Sequence, residues 1–283
     1  MSAAVLEAEK LIATIAIPAQ RQIVIDLQVE MAVDEPCFSQ ISTTVAKDVA
    51  LSAKIIKLIN SPFYGFSRPV RSISQALSLL GLNNFNNIVL SSVMRELINV
   101  DGELNERFWE HTLLMARLCE MVALRTRMVS ADLAYMVGLF HDCAVPLMLI
   151  RFPDYEDIAF PGFGGGKDLI TVEDERYRTN HAVVGSMVAK NWKLPDVVSL
   201  AIRHHHESSL EHINDNDARV LTATLMFSDF ISMLVDTSVS TNLQNEKIEK
   251  WALYHDHILI ELGLNCDDIY EYREDAAELL MRN

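Results

Sequence analysis

Apolar residues recur at helical stride through nearly the whole chain, and no alternating stretch is long enough to make a half-buried strand. That pattern restricts the fold to the all-α class before any motif is considered. Half of the 283 residues are apolar, which is enough to bury a sizeable core. Local signals then divide the pattern. Pro18 opens a helix running to about Val33, and Pro36 sits where the first turn of the next would begin. Asp48 is the N-cap of a helix with apolar face Leu51, Ile55, Leu58 and Ile59, which ends at Asn60-Ser61-Pro62. Ser72 caps a short helix that Gly81 closes, and another runs from about Asn84 to Ile98. Val100–Glu103, with Asp101-Gly102, marks the boundary between an N-terminal lobe (1–100) and a second helical lobe (101–283). The expectation is a two-lobed helical protein.

The first lobe contains no histidine; the second holds all nine. A long helix from about Glu106 to Thr126 carries His111, with Met115, Leu118 and Val122 following at helical stride. The apolar run from Ala131 ends in Gly138-Leu139-Phe140-His141-Asp142. Alone, that dipeptide also fits a helix C-terminus whose imidazole caps the last carbonyls. Pro153 to Lys167 reads as a long irregular loop, mobile enough to cover a site or simply a surface segment. Asn180 caps a helix that opens with His181 and uses Gly185 for close packing. A helix from Pro195-Asp196 ends in His204-His205-His206-Glu207, a polar run that a solvated helix end would also accommodate. Asp229 lies among Leu225, Met226, Phe230 and Ile231, where a carboxylate must be paired or bind a cation. His212, His255 and His257 read as surface residues. Two last helices, about Asn245–Leu262 and Asp267–Met281, close the bundle.

The net charge of −15 belongs wholly to residues 101–283, which hold 16 basic and 31 acidic groups against eight and eight before them. Such a surface repels a phosphate backbone, so general nucleic-acid binding is not expected. No apolar run is expected to approach the length of a membrane span. Met1–Lys10 does not read as a signal peptide. Cys37, Cys119, Cys143 and Cys266 stand far apart, with no metal-knuckle spacing, and read as reduced core cysteines. The location these features imply is cytoplasmic.

His111, His141, Asp142, His181, His205, His206 and Asp229 form a set of nitrogen and oxygen donors suited to iron, manganese or zinc. Seven groups are too many for one tetrahedral ion and suit two, with positions left for water and a phosphate. The carboxylate of Asp142 has two oxygens and can bridge two ions; it is the candidate catalytic residue if the site turns over. One or two divalent transition-metal ions, and a phosphate-ester ligand, are the implied cofactors and substrate class.

The donor order H…HD…H…HH…D on helices resembles the HD superfamily of metal-dependent phosphohydrolases. Lys47-Asp48-Val49-Ala50-Leu51-Ser52, Leu58-Ile59-Asn60-Ser61-Pro62-Phe63-Tyr64-Gly65, Ile73-Ser74-Gln75-Ala76-Leu77 and Leu80-Gly81 narrow this to a resemblance to the HDOD family (HD-related output domain). Phe108-Trp109-Glu110-His111, Gly138–Asp142, His181 with Val184-Gly185, and Trp192-Lys193-Leu194-Pro195 continue it, over about residues 15 to 235. The resemblance implies a bacterial signal-transduction protein acting through a protein partner, with metal-dependent phosphohydrolase as the alternative. Two departures stand out. The superfamily often continues His-Asp-x-Gly-Lys, whereas here Cys143-Ala144-Val145 follows and the phosphate-contacting lysine is missing. Lys167 or Arg203 would have to supply that charge. No Asp-Gly-x-Gly-Tyr-Pro segment follows Glu207, so the chain does not look like a cyclic-di-GMP phosphodiesterase of the HD-GYP type.

Overall fold

The structure, a computed structural model, describes residues 21–97, 103–159, 167–235 and 241–281. Among these there are helices and turns and no strand, as the helical stride requires. The expected helix start at Pro18, the boundary residues around Asp101, the N-terminal Met1–Lys10 and the glycines at 162–166 lie outside the described residues. The described residues gather into two compact units, one of 21–97 with 278–281, the other of those within 103–277.

In the first unit, α1 (Gln22–Met31), α2 (Phe38–Ala46), α3 (Val49–Ile59) and α4 (Ile73–Leu97) pack on one another. Helix α2 starts two residues after Pro36, rather than on it. Val24 and Leu27, Ile41 and Val45, and Leu51, Ile55 and Ile59 are fully buried at helical spacing. Each such side chain contributes on the order of 2 kcal/mol by leaving water. Asp48 caps α3, its side chain accepting from Leu51 N at 3.0 Å, and Ser72 Oγ accepts from Gln75 N at 3.1 Å. At Gly81 the backbone takes φ +74° and ψ 171°, a conformation open only to glycine, and α4 bends there before running on to Leu97. Beyond the bend, every residue from Phe85 to Met94 is buried.

The second unit is built on α5 (Glu103–Thr126) and α6 (Ala131–Phe140). A Cβ at Gly138 would lie 2.5 Å from the Met115 carbonyl oxygen and 2.7 Å from Ala116 Cα, so the two helices meet backbone to backbone. Around this pair stand α7 (Val145–Arg151), α8 (Glu156–Ala159), α9 (Lys167–Tyr177), α10 (His181–Asn191), α11 (Asp196–His204) and α12 (Asn216–Leu234). Three more follow, α13 (Thr241–Tyr254), α14 (Asp256–Glu261) and α15 (Cys266–Met281), so the expected single helix over 245–262 is two, interrupted at His255. Asn180 caps α10, accepting from Val183 N at 2.9 Å.

Four expectations need correction. Ala131–Arg151 is long and apolar enough to cross a membrane, although no such run was expected. Of its most apolar window, 78% is buried inside the protein, and a core helix needs that apolarity for packing alone. The loop expected over 153–167 is interrupted by the helical turn α8, and Tyr155 before it is fully buried. Cys119 and Cys143 are core thiols, but Cys37 is exposed and Cys266 half-buried; all four are free. His255 is half-buried, its ring stacked on Trp251 at 4.7 Å, and His257 is half-buried too.

Candidate metal centre

Two helix ends supply imidazoles by the same device. Helix α6 stops at Phe140, and His141 Nδ1 donates to the Gly138 carbonyl oxygen at 2.8 Å. Helix α11 stops at His204, and His205 Nδ1 donates to the Ile202 carbonyl oxygen at 2.6 Å. Each ring therefore satisfies one of its helix's last carbonyls, and its Nε2 is turned inward. His141 and Asp142 stand side by side in the turn that follows α6, and their side chains reach the same point. His141 Nε2 lies 3.2 Å from Asp142 Oδ2. From the other side, His181 Nε2 lies 3.4 Å from Asp142 Oδ1, and His205 Nε2 lies 3.7 Å from that same oxygen.

Asp142 consequently belongs to two sets of potential ligand atoms, each gathered within 4.8 Å: Asp142 with His181, His205 and His206, and Asp142 with His111 and His141. The close passage at Gly138 brings the His111 ring to 5.8 Å from that of His141. Gly185 does the same for α10, since a Cβ there would stand 3.2 Å from Ile202 Cγ2 and 3.4 Å from the His141 carbonyl oxygen. Six of the seven expected donors thus lie in two overlapping sets. Asp229 on α12 belongs to neither, although its charge acts on His141.

Glu173 was not expected at the site. It is fully buried on α9, a helix not anticipated from sequence, and it accepts from His181 N at 3.0 Å and from His181 Nδ1 at 2.8 Å. Tyr155 donates its hydroxyl to the same carboxylate. The sequence held little signal for it, because Glu173-Asp174-Glu175 looks like a solvated acidic run.

The charges are divided by environment. Burial alone would raise the Asp142 carboxyl, but His141, with His205 and His181 beyond it, holds it well below the usual carboxylate range. Burial opposes charge on His181, yet Glu173 and then Asp142 raise it to about 9. His141 is likewise raised, Asp142 outweighing burial. His111 is pushed down to about 4 by burial and by His141. Burial also lowers His205, and lowers His206 much further, with His205 and His181 adding to it. Burial lifts Asp229 to about 6. His206 Nε2 lies 2.9 Å from His181 Nε2, the distance of a hydrogen bond from a charged His181 to a neutral His206.

The donor chemistry fits a metal ion. Asp142 Oδ1 and His205 Nε2 are both buried with no hydrogen-bond partner, 3.7 Å apart, too far to bond each other. Buried polar atoms normally find partners, and a cation would serve both of these. His141, His181 and His205 each have Nδ1 held by a carbonyl or carboxylate. Because histidine ligates as the neutral imidazole, an ion bound at Nε2 would displace the proton that His141 and His181 carry without it.

A family model described as HDOD domain matches residues 17–208. A protein of Treponema pallidum (strain Nichols) is 25% identical over 222 residues, covering 74% of this chain; the match spans 41% of that relative's length. Among solved structures, an HDOD domain protein from Geobacter sulfurreducens superposes with a TM-score of 0.71 at 21% identity, covering 98% of both chains. A protein from Shewanella amazonensis SB2B, called a "Putative phosphohydrolase", gives 0.70 at 19% identity, covering 99% of this chain and 98% of its own. At these identities the structures share a fold with this chain.

Proposed function

We propose, from the premise that this chain belongs to the HDOD domain family, that it is a signalling protein whose second unit holds a dinuclear metal site of HD type. The observation that carries the proposal is Asp142, common to both donor sets and with one buried oxygen left without a hydrogen bond. His111 and His141 would hold one ion, and His181, His205 and His206 the other, with Asp142 between them. Iron, manganese or zinc suits these donors. Asp229 stands close enough to add negative charge without being needed as a ligand.

Two ions held by these residues would supply a water of lowered pKa and neutralise a phosphoryl oxygen. The chain's own part is orientation. Backbone carbonyls fix His141 and His205, and Glu173, held by Tyr155, fixes His181. At the position where the superfamily often has a lysine for the phosphate stands Val145, a buried aliphatic at the start of α7, so that any such charge would have to come from Lys167 or Arg203. Loss of one charge-stabilising group typically costs about 10²–10³-fold in rate. We therefore favour action through a protein partner, the role that the family resemblance implies.

Hydrolysis of a phosphate ester is the alternative, favoured by the six clustered donors and by the name borne by the Shewanella protein of the same fold. Metal content of the purified protein, joined to assays on p-nitrophenyl phosphate, its bis ester, nucleoside monophosphates and cyclic dinucleotides, decides between them. The expected result is bound metal with turnover well below about 1 s⁻¹, under the ordinary enzyme range. Faster turnover that disappears in Asp142→Ala would establish the hydrolase, and absence of metal would overturn both forms.

A further inference from the structure

Among the described residues, a third set of potential ligand atoms stands outside the buried cluster: His204, Glu207 and His212. His204 is the last residue of α11, one position before His205, and its side chain turns the other way. Glu207 and His212 follow in the connection to α12. That connection is not loosely placed: Leu210 and Ile213, on either side of His212, are buried, and Ile213 N donates to the Leu210 carbonyl oxygen at 3.0 Å. Glu207 N donates to the His204 carbonyl oxygen, also at 3.0 Å. The three side chains are thus presented by a fixed turn.

His204 Nδ1 lies 2.7 Å from Glu207 Oε1, His212 Nε2 lies 2.6 Å from Glu207 Oε2, and the two ring nitrogens lie 3.2 Å apart. With Glu207 ionised, no placement of protons makes all three approaches hydrogen bonds. A carboxylate only accepts, so each nitrogen must carry a proton to bond Glu207, and two protonated nitrogens cannot bond each other. Removing either proton relieves the nitrogen pair but sets a lone pair against a carboxylate oxygen. A cation among the three atoms meets every one of them with a lone pair. With bonds of about 2.0–2.1 Å and angles between octahedral and tetrahedral, ligand atoms on one metal lie roughly 2.9–3.4 Å apart. The two ring nitrogens, 3.2 Å apart, already have that spacing, and the Glu207 carboxylate, at 2.7 and 2.6 Å from them, has only to draw back by a few tenths of an ångström to admit the ion.

We propose that His204 Nδ1, Glu207 and His212 Nε2 form a second, solvent-accessible site for a divalent transition-metal ion, independent of the buried centre. Two imidazoles and one carboxylate suit Zn²⁺, with a remaining position for water. The Glu207 and His212 side chains are 44% and 45% exposed, so the ion exchanges with solvent rather than being trapped in the fold. When occupied, the site ties the turn holding His205 and His206 to the connection beyond it.

The test is Zn²⁺ titration of the chelator-stripped full chain against a competing indicator. Wild type is compared with Glu207→Ala/His212→Ala and with Asp142→Ala. The double variant, which removes exposed side chains, should lose one class of Zn²⁺ site, weakened by about 100-fold or more. Asp142→Ala should keep that class, which separates this proposal from the dinuclear one. Crystals soaked in Zn²⁺ should show an anomalous peak at the zinc edge among His204, Glu207 and His212. Identical isotherms for wild type and the double variant, or zinc peaks only elsewhere, would overturn the proposal.

Discussion

Both units bury aliphatic helix faces, but among the described residues only the second buries histidines and a carboxylate. Among the described residues of the first unit, the buried polar side chains are Ser42, Asn86, Asn87, Ser91 and Ser92. Its charges stay near the surface, where Arg21 joins Asp48 and Glu96, and Lys54 joins Glu96. Partly exposed pairs at the surface, screened by solvent, are worth about 1 kcal/mol or less each. In the second unit His141, His181, His205 and Glu173 are nearly or wholly inaccessible, and burying charge costs several kcal/mol per ion unless it is fully paired. Helix packing does not require that arrangement, since the first unit packs its helices without it. The contrast marks 141–206 as the part of the chain shaped by something other than packing.

Substitutions can break or sharpen this contrast. The largest effect is expected from Asp142→Ala combined with His141→Ala, which removes the carboxylate common to both donor sets. Metal affinity of the buried centre should fall by more than about 100-fold, read by elemental analysis after dialysis. Full retention of metal would remove the centre from the proposal.

Next comes Gly138→Ala. A methyl placed 2.5 Å from a backbone carbonyl forces α5 and α6 apart, for a cost of about 3 kcal/mol, measured by urea denaturation. His111 should separate from His141 in the same variant, so metal binding should weaken along with stability. Stability close to wild type would mean the two helices do not touch as described.

Glu173→Gln keeps the shape of the side chain but removes the charge that orients His181. Metal affinity should fall by about 10–100-fold with little change in the urea midpoint. An unchanged affinity would make Glu173 a packing residue. The smallest effect is assigned to the first unit: Asp48→Ala removes the α3 cap and should cost about 1 kcal/mol while leaving metal content unaltered. If metal content fell as well, the two units would be coupled through more than the chain connecting them.

What the sequence by itself determined is what short-range physics controls. The helical stride, the caps at Asp48 and Asn180, the break at Gly81 and the order of the donors along the chain depend on residues within a turn of one another. Element limits were less legible where two helices abut, as at His255, or where an acidic segment hid α9. Tertiary structure alone decided which polar residues meet. Among Glu173, Asp174 and Glu175 the sequence offers three equal carboxylates, and only the packing of α9 turns the first inward onto His181. Among His204, His205 and His206 the offset of successive residues around α11 sends the first outward to Glu207 and His212 and the others toward Asp142. The close helix approaches at Gly138, onto Ala116, and at Gly185, onto Ile202, likewise join residues 22 and 17 positions apart, beyond the reach of any local signal.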